Sequence, residues 1–298
     1  MGERADEQDL LAARFDANRT HLRSVAYRML GSLSDADDAV QDAWLRFSRA
    51  ETSGIENLGG WLTTVVARVC LDMLRSRKAR GEQSLDGRLP DPIVSRADGT
   101  DPEHEALLAE SVGLALLVVL DTLAPAERLA FVLHDVFAVP FDEIGPIVGR
   151  TPTAARQLAS RARRRVQRAS AVPDTGIAQQ REVVDAFLAA SRDGNFAALV
   201  AVLDPDVVLR VDHGAVPAGA TRMVHGAAAV AGQALMFSAI DRVVRPALVN
   251  GAAGIVTTVD GQPFAVMAFT VRNGRIAGID ILADPARLHQ LDLTVLGD

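Results

Sequence analysis

Residues 139–168 read VPFDEIGPIVGRTPTAARQLASRARRRVQR. Phe141, Ile144 and Val148 share one face of a short helix. Gly149 suits a tight turn after it. Thr151-Pro152 is a helix start, with Thr as N-cap and Pro at the first helical position. Beyond it Ala155, Leu158, Ala159, Ala162 and Val166 form an apolar face, and Thr153, Arg156, Gln157, Ser160, Arg163, Arg164 and Gln167 form a polar one. A short helix, a glycine turn and a basic helix with small apolar anchors make a helix-turn-helix, whose second helix enters the major groove of DNA. There Arg pairs with guanine and Gln with adenine through two hydrogen bonds each. Later arginines, Arg161 and Arg164 among them, neutralise phosphates, which fix position without reading sequence.

The charge distribution agrees with that chemistry only locally. The chain carries 31 Lys and Arg against 38 Asp and Glu, a net charge of -7. Yet Arg150 to Arg168 holds seven arginines and no acid, and Arg75, Arg77, Lys78 and Arg80 make a second basic run. A global average does not describe such patches. The single cysteine, Cys70, excludes an internal disulfide or a multi-cysteine zinc site and reads as a small core residue. No metal or cofactor is expected. The longest apolar stretch, Val112–Leu120, falls far short of the roughly 20 residues of a membrane helix. The opening MGERADEQDL is polar and acidic, unlike a secretory signal. The expectation is a cytoplasmic protein with no membrane partner.

At about 100–200 residues per domain, 298 residues predict two or three domains. Hydrophobic residues make up 49% but aromatics only 4%, so the cores must be built mainly of Ala, Val and Leu. Residues 8–80 read as a helical domain. Val40, Ala43, Trp44 and Phe47 stand at i, i+3, i+4, i+7 of an amphipathic helix. Ser34 is its expected N-cap, with Asp35, Asp37 and Asp38 in the first turn, where the dipole favours negative charge. Trp61, Leu62, Val65, Val66, Val69, Met73 and Leu74 mark a longer helix, with Gly59 and Gly60 as the break before it. Residues 81–103, rich in Gly, Pro and Asp, read as a linker. Helices resume over 104–170, and Ser170–Gly176 is a second break. Residues 177–298 change character: a helix at Ile177–Arg192, then the β-rich runs Val207–Val211, Gly254–Val259, Phe264–Val271 and Ile276–Ile281. Asp260-Gly261 and Asn273-Gly274 are hairpin signals. The fold class expected is therefore two all-α domains, the second a helix-turn-helix, followed by an α+β domain with a curved sheet.

The helix-turn-helix segment resembles the fourth conserved region of extracytoplasmic-function sigma factors. SDADDAVQDAWLRF at 34–47 and GWLTTVVARVCLDMLRSRKAR at 60–80 are similar to their second region. The two motifs stand in the family's order on either side of a linker, and together they cover about residues 10–168. The resemblance implies that the chain partners core RNA polymerase, through its β′ clamp helices and β flap, and promoter DNA. It implies that Asp37, Asp38, Gln41 and Asp42 dock on the clamp helices, and their place opposite the Val40/Trp44 stripe agrees. It implies that Arg68, Arg75, Arg77, Lys78 and Arg80 engage the downstream promoter box as it melts. The loop Ser48–Asn57 corresponds to one that pockets a flipped base, an event costing a few kcal/mol of unstacking.

The last segment resembles a SnoaL-like domain, a cone of the nuclear-transport-factor type, through FLAASRDGNFAALVAVLDPDVVL at 187–209 and FAVMAFTVRNGRIAGIDILADPARL at 264–288. Leu89-Pro90-Asp91-Pro92 resembles the linker signature of the sigma subgroup that carries this extension. Asp284-Pro285-Ala286-Arg287-Leu288 resembles its C-terminal signature, and Asp212-His213-Gly214-Ala215 is a degenerate form of its central one. Asp212, His213, His225 and Asp280 are candidate acid–base groups. An inward Asp280 would be an acid with a shifted pKa. The expectation, however, is a regulatory domain rather than an enzyme. Asp212, His213, Asp280 and Asp284 are its candidate regulatory or pocket residues, and its pocket is a candidate site for a small-molecule ligand. Two other readings stand beside this one. A helix-turn-helix regulator with a ligand-binding domain would have no use for residues 34–80, and a fused enzyme would need turnover.

Overall fold

The computed structural model describes residues 2–50, 55–80, 88–97, 113–169, 173–214, 222–238, 241–291 and 293. The chain divides into two compact units, Met1–Ser84 with Leu120–Arg165, and Leu85–Val119 with Val166–Asp298.

The first unit is helical. Helices α1 (Gly2–Leu30), α2 (Leu33–Phe47) and α3 (Leu58–Ala79) form a bundle. Its centre is the expected stripe: Ala36, Ala39, Val40, Ala43 and Phe47 are buried. Phe15 meets Trp44 edge-on with ring centroids 5.2 Å apart, and Phe47 meets Trp61 at 5.9 Å. Cys70 is buried within α3, and burial pushes its thiol up to about 12, which removes it from thiolate chemistry. Two local expectations are corrected. The N-cap of α2 is Ser32, whose hydroxyl accepts from the Asp35 N–H, because Leu33 joins the first helical turn. Gly59 and Gly60 sit inside the first turn of α3, capped by Asn57, rather than before it. A Cβ on Gly60 would stand 2.8 Å from the Asn57 amide, so the glycine makes room for its own cap.

After α4 (Leu114–Asp121) come α5 (Pro125–Phe131), continued by a π turn over Val132–Val136, then α6 (Phe141–Val148) and α7 (Pro152–Arg168). Within the first unit α5 and α6 pack on α3. The Arg128 side chain on α5 is fully buried: it pairs with Asp121 at 2.9 Å and donates to the Arg28 carbonyl of α1 at 3.3 Å. Phe137 takes the edge of His21 at 5.2 Å and the Arg28 guanidinium over its face.

The second unit is α+β. Helices α8 (Ile177–Arg192), α9 (Phe196–Val202) and α10 (Ala227–Ser238) pack on one mixed sheet. Its strands are β1 (Val94–Arg96), β2 (Leu203–Asp212), β3 (Arg222–His225), β4 (Val243–Val249), β5 (Ala252–Val259), β6 (Gln262–Arg272) and β7 (Arg275–Leu282). They lie in the order β1-β4-β5-β6-β7-β2-β3. Only β2 and β7 pair parallel; the other neighbours are antiparallel. Both expected hairpins are present: Asp260-Gly261 and Asn273-Gly274 take left-handed φ at both positions. The linker expectation is corrected in part. Residues 94–96 add an edge strand to this sheet, pairing Val94 with Val249, because Leu89, Ile93 and Val94 have apolar side chains to bury. Residues 81–87 and 98–103 of the linker lie outside the described residues, as do 51–54 of the flipped-base loop, 104–112, 170–172 and Ala215. Among the described residues, no helix is long and apolar enough to cross a membrane.

Candidate nucleic-acid interface

The recognition element is built as its sequence requires. Helix α6 ends at Gly149, whose φ of 69° is left-handed. The Ala154 N–H donates to the Thr151 hydroxyl at 3.3 Å, so Thr151 caps α7. Ala155, Ala159, Ala162 and Val166 are buried, which fixes the rotation of α7. Gly145 permits the tight approach: a Cβ there would stand 2.9 Å from the Arg150 carbonyl oxygen.

That rotation turns Thr153, Arg156, Gln157, Arg161 and Arg164 outward, with Ser160 half-buried between them. Among the described residues none of these arginines has an ion pair. The exposed Arg156 carries its guanidinium over the Phe141 ring, 5.3 Å from the centroid, a cation–π contact that steadies the fork at the surface. The remaining arginines of the helix divide differently. Arg163 binds Asp135 at 2.6 Å, and Arg165 reaches the Thr122 carbonyl at 3.2 Å and Glu127 at 3.7 Å. They brace α7 against the preceding helices.

On α3 and at its C-cap, Arg68, Arg75, Lys78 and Arg80 are exposed, whereas Arg77 is half-buried and paired with Asp35 at 2.6 Å. On α2, Asp37, Asp38 and Gln41 are exposed beside the 43% exposed Leu45. Asp37 holds Arg23 in a two-point contact, and Asp42 pairs with Arg46 at 2.9 Å.

The third segment's candidate residues do not form one site. Leu209, Val211, Ile279 and Ile281 line a cavity, so strand alternation sends Arg210, Asp212 and Asp280 to the other face of the sheet. Asp280 is corrected accordingly: it points away from the cavity and pairs with Arg210 on the neighbouring strand at 3.0 Å. Burial raises its pKa, and Arg210 partly offsets that. His213 does line the cavity, while His225 is exposed at the end of β3. Asp284 caps the short helix α11 (Pro285–Leu288) through the Ala286 and Arg287 N–H groups.

Asp212 belongs to a buried cluster that closes on the linker. Its carboxylate accepts from the Leu89 N–H at 2.8 Å, the Gly214 N–H at 2.9 Å and Arg287 at 2.6 Å. The same guanidinium donates to the Leu89 carbonyl at 2.7 Å and pairs with Asp91 at 2.6 Å. Four residues along, Ile93 and Asn250 exchange two hydrogen bonds, of 3.1 and 2.8 Å. Gly214 has φ +79°, and a Cβ there would collide with the Asp284 carboxylate. The three short signatures at Leu89–Pro92, Asp212–Gly214 and Asp284–Leu288 thus converge on one cluster. Sequence reading missed the part of Arg287 as its hub and that of Asn250. It also missed Gln180, which ties α8 to β5 through the Ala253 N–H at 3.0 Å.

Comparison with known proteins assigns the two helical parts. Residues 14–80 match sigma-70 region 2 and residues 113–166 match sigma-70 region 4. A region 2 joined to a region 4 defines a sigma factor of the sigma-70 class, which directs core polymerase to promoters. Over 289 residues the chain is 40% identical to the ECF RNA polymerase sigma factor SigJ of Mycobacterium tuberculosis, covering 91% of each. It is 33% identical over 291 residues to the probable ECF sigma factor SigI of the same species, covering 96% of this chain and 97% of that one. The crystal structure of M. tuberculosis SigJ matches with a TM-score of 0.75 at 38% identity, covering 95% of this chain and 99% of that chain. The chain belongs to the extracytoplasmic-function sigma factors. The match to region 2 removes the reading of the chain as an ordinary helix-turn-helix regulator.

Proposed function

We propose that this sigma factor is held inactive by its own C-terminal domain, which keeps the linker between regions 2 and 4 bound to itself. The observation that carries this is the Arg287 guanidinium, which grips the linker at both the Leu89 carbonyl and Asp91 while Asp212 neutralises it. A sigma factor on core polymerase is expected to separate its two DNA-binding regions, with the linker threaded between them. Here the helices of regions 2 and 4 lie in one compact unit, joined through the buried Arg128. Engagement of polymerase would then require release of residues 88–96. The domain makes and breaks no covalent bond in this reading, and the protein works in the cytoplasm where polymerase is.

On the released protein, Arg156 and Gln157 read base edges of the upstream promoter box, with Thr153 and Ser160 beside them, and Arg161 and Arg164 hold phosphates. Arg68, Arg75, Lys78 and Arg80 serve the downstream box, joined by Arg77 once it leaves Asp35. Asp37, Asp38, Gln41 and Asp42 dock on the β′ clamp helices, and region 4 docks on the β flap. Run-off transcription from a cognate promoter tests the restraint: Arg287→Ala should raise product several-fold at matched polymerase saturation. Equal product from variant and parent would remove the restraint from the mechanism. Asp38→Arg with Asp42→Arg tests the docking face. Both side chains are outside the core, so the fold should survive and co-purification with core polymerase should be lost. Undiminished co-purification would reject that face.

A further inference from the structure

The concave face of the sheet and helices α8 and α10 enclose a cavity of about 220 Å³. Its wall is apolar, built from Phe187, Leu209, Phe264, Met267, Ile279 and Ile281 among others. The volume lies just under the roughly 300–1,000 Å³ typical of sites for drug-sized ligands, so an occupant must be small. The polar groups on the wall are few and differ in their state. The Ser191 hydroxyl already donates to the Ala234 carbonyl, and the Gln233 amide lies 3.8 Å from the Met236 sulfur.

Arg242 is different. Its side chain lines the cavity half-buried, and it has neither an ion pair nor a hydrogen bond among the described residues. Burial lowers its pKa, with no opposing carboxylate to raise it again. Two arginines on the far face of the sheet and beside it set a contrast: Arg210 is matched by Asp280, and Arg287 by Asp212 and Asp91. A guanidinium drawn toward an apolar wall without an anion loses hydration and gains nothing in return. An anionic ligand would supply that partner, and the wall would take its hydrocarbon part.

We propose that the cavity of the C-terminal domain binds a small apolar carboxylate, with its hydrocarbon body among Phe187, Phe264, Met267 and Ile279 and its carboxylate on Arg242. One guanidinium fork matches one carboxylate through two parallel hydrogen bonds. Besides Arg242, only His213 among the described residues of the wall can become cationic, so the set suits a monoanion rather than a phosphate dianion. The proposal depends on the cavity alone and stands whether or not the domain restrains the linker.

Isothermal titration calorimetry on the full chain tests it, with octanoate, decanoate and 4-phenylbutyrate as probes and decan-1-ol as the uncharged control. At least one acid should bind with one-to-one stoichiometry, and decan-1-ol should bind at least about tenfold more weakly, as expected for loss of a charge-assisted contact. Arg242→Gln should reduce acid affinity to the level of the alcohol while leaving alcohol binding unchanged, and Arg242→Lys should restore part of it. Ala234→Leu, which narrows the cavity from α10, should weaken acid and alcohol alike. Binding by none of the acids, equal binding of decanoate and decan-1-ol, or full acid affinity in Arg242→Gln each overturns the proposal. Promoter-directed transcription is read separately, so failure here leaves the sigma-factor function standing, and its failure leaves this result standing.

Discussion

Helix α7 and helix α11 use arginine in opposite ways. On α7, Arg156, Arg161 and Arg164 are exposed and unmatched by any carboxylate among the described residues. On α11, Arg287 is 7% exposed and holds two carboxylates and a backbone carbonyl. The first arrangement leaves donors available to a partner that brings its own negative charge. The second spends them internally, where an arginine stripped of partners would be strongly unfavourable. Charge alone therefore does not identify an interface; what matters is whether the fold has already neutralised it. The same distinction operates within α7, because Arg163 and Arg165 are committed to Asp135, Glu127 and the Thr122 carbonyl.

The strongest way to break this comparison is Arg287→Ala. Removing one member of a buried ion cluster typically costs about 3–5 kcal/mol, because its partners stay buried without compensation. Asp212 would lose its buried cation, and the half-buried Asp91 would lose this contact with it. Two compact units need not unfold in one step, so a single melting temperature is a poor readout. Hydrogen exchange at the Leu89 and Ile93 N–H groups is direct, because these amides bond Asp212 and Asn250. Both should lose protection in the variant while the amides of α3 keep theirs. Retained protection at Leu89 would mean that Arg287 does not hold the linker.

The opposite end of the comparison is tested on α7. Arg156→Ala or Gln157→Ala should each relax specificity at particular promoter positions by about 1–3 kcal/mol, the worth of a good bidentate base contact. Arg164→Ala should weaken all sequences about equally and reduce the salt slope by about one. Competition binding of holoenzyme to promoter variants separates the two patterns. A uniform loss from Arg156→Ala would move base reading to another face of the helix.

The two regions also differ in how far the sequence reveals them. Helix α7 is legible because its information is local: the 3.6-residue period, the Thr151 cap and the Gly149 turn all lie within thirty residues. The hairpins at Asp260-Gly261 and Asn273-Gly274 are legible for the same reason. Asn250-Gly251, with left-handed φ at both residues, carries the same signal and would have located the β4–β5 turn. Strand β1 was not legible. Its residues sit in a stretch rich in Gly, Pro and Asp, and its partner Val249 lies in a different part of the chain. The Arg287 cluster likewise joins three short signatures that sequence reading could match singly but not bring together. Asp280 is intermediate: alternation set it opposite Ile279 and Ile281, but only the folded sheet decides which face holds the cavity.

That last residue gives the smallest effect and a different kind of test. Asp280 is matched by one arginine, Arg210, which is itself partly open to solvent. Burial raises its carboxyl pKa, and the Arg210 charge and hydrogen bond lower it again only in part. The folded state therefore holds this proton more tightly than the unfolded chain, whose carboxyl titrates near about 3.9. The protonated side chain favours folding most below that value, and the contribution is lost as pH rises through the raised folded pKa. Asp280→Asn has no proton to lose at this position. Its stability relative to the parent should rise with pH above about 4 and level off once the parent carboxyl has titrated. Thermal denaturation of both proteins across that range reads the difference directly. Parallel curves would mean that Arg210 compensates the buried charge completely, which would place this pair with the fully neutralised Arg287 cluster rather than between it and the open arginines of α7.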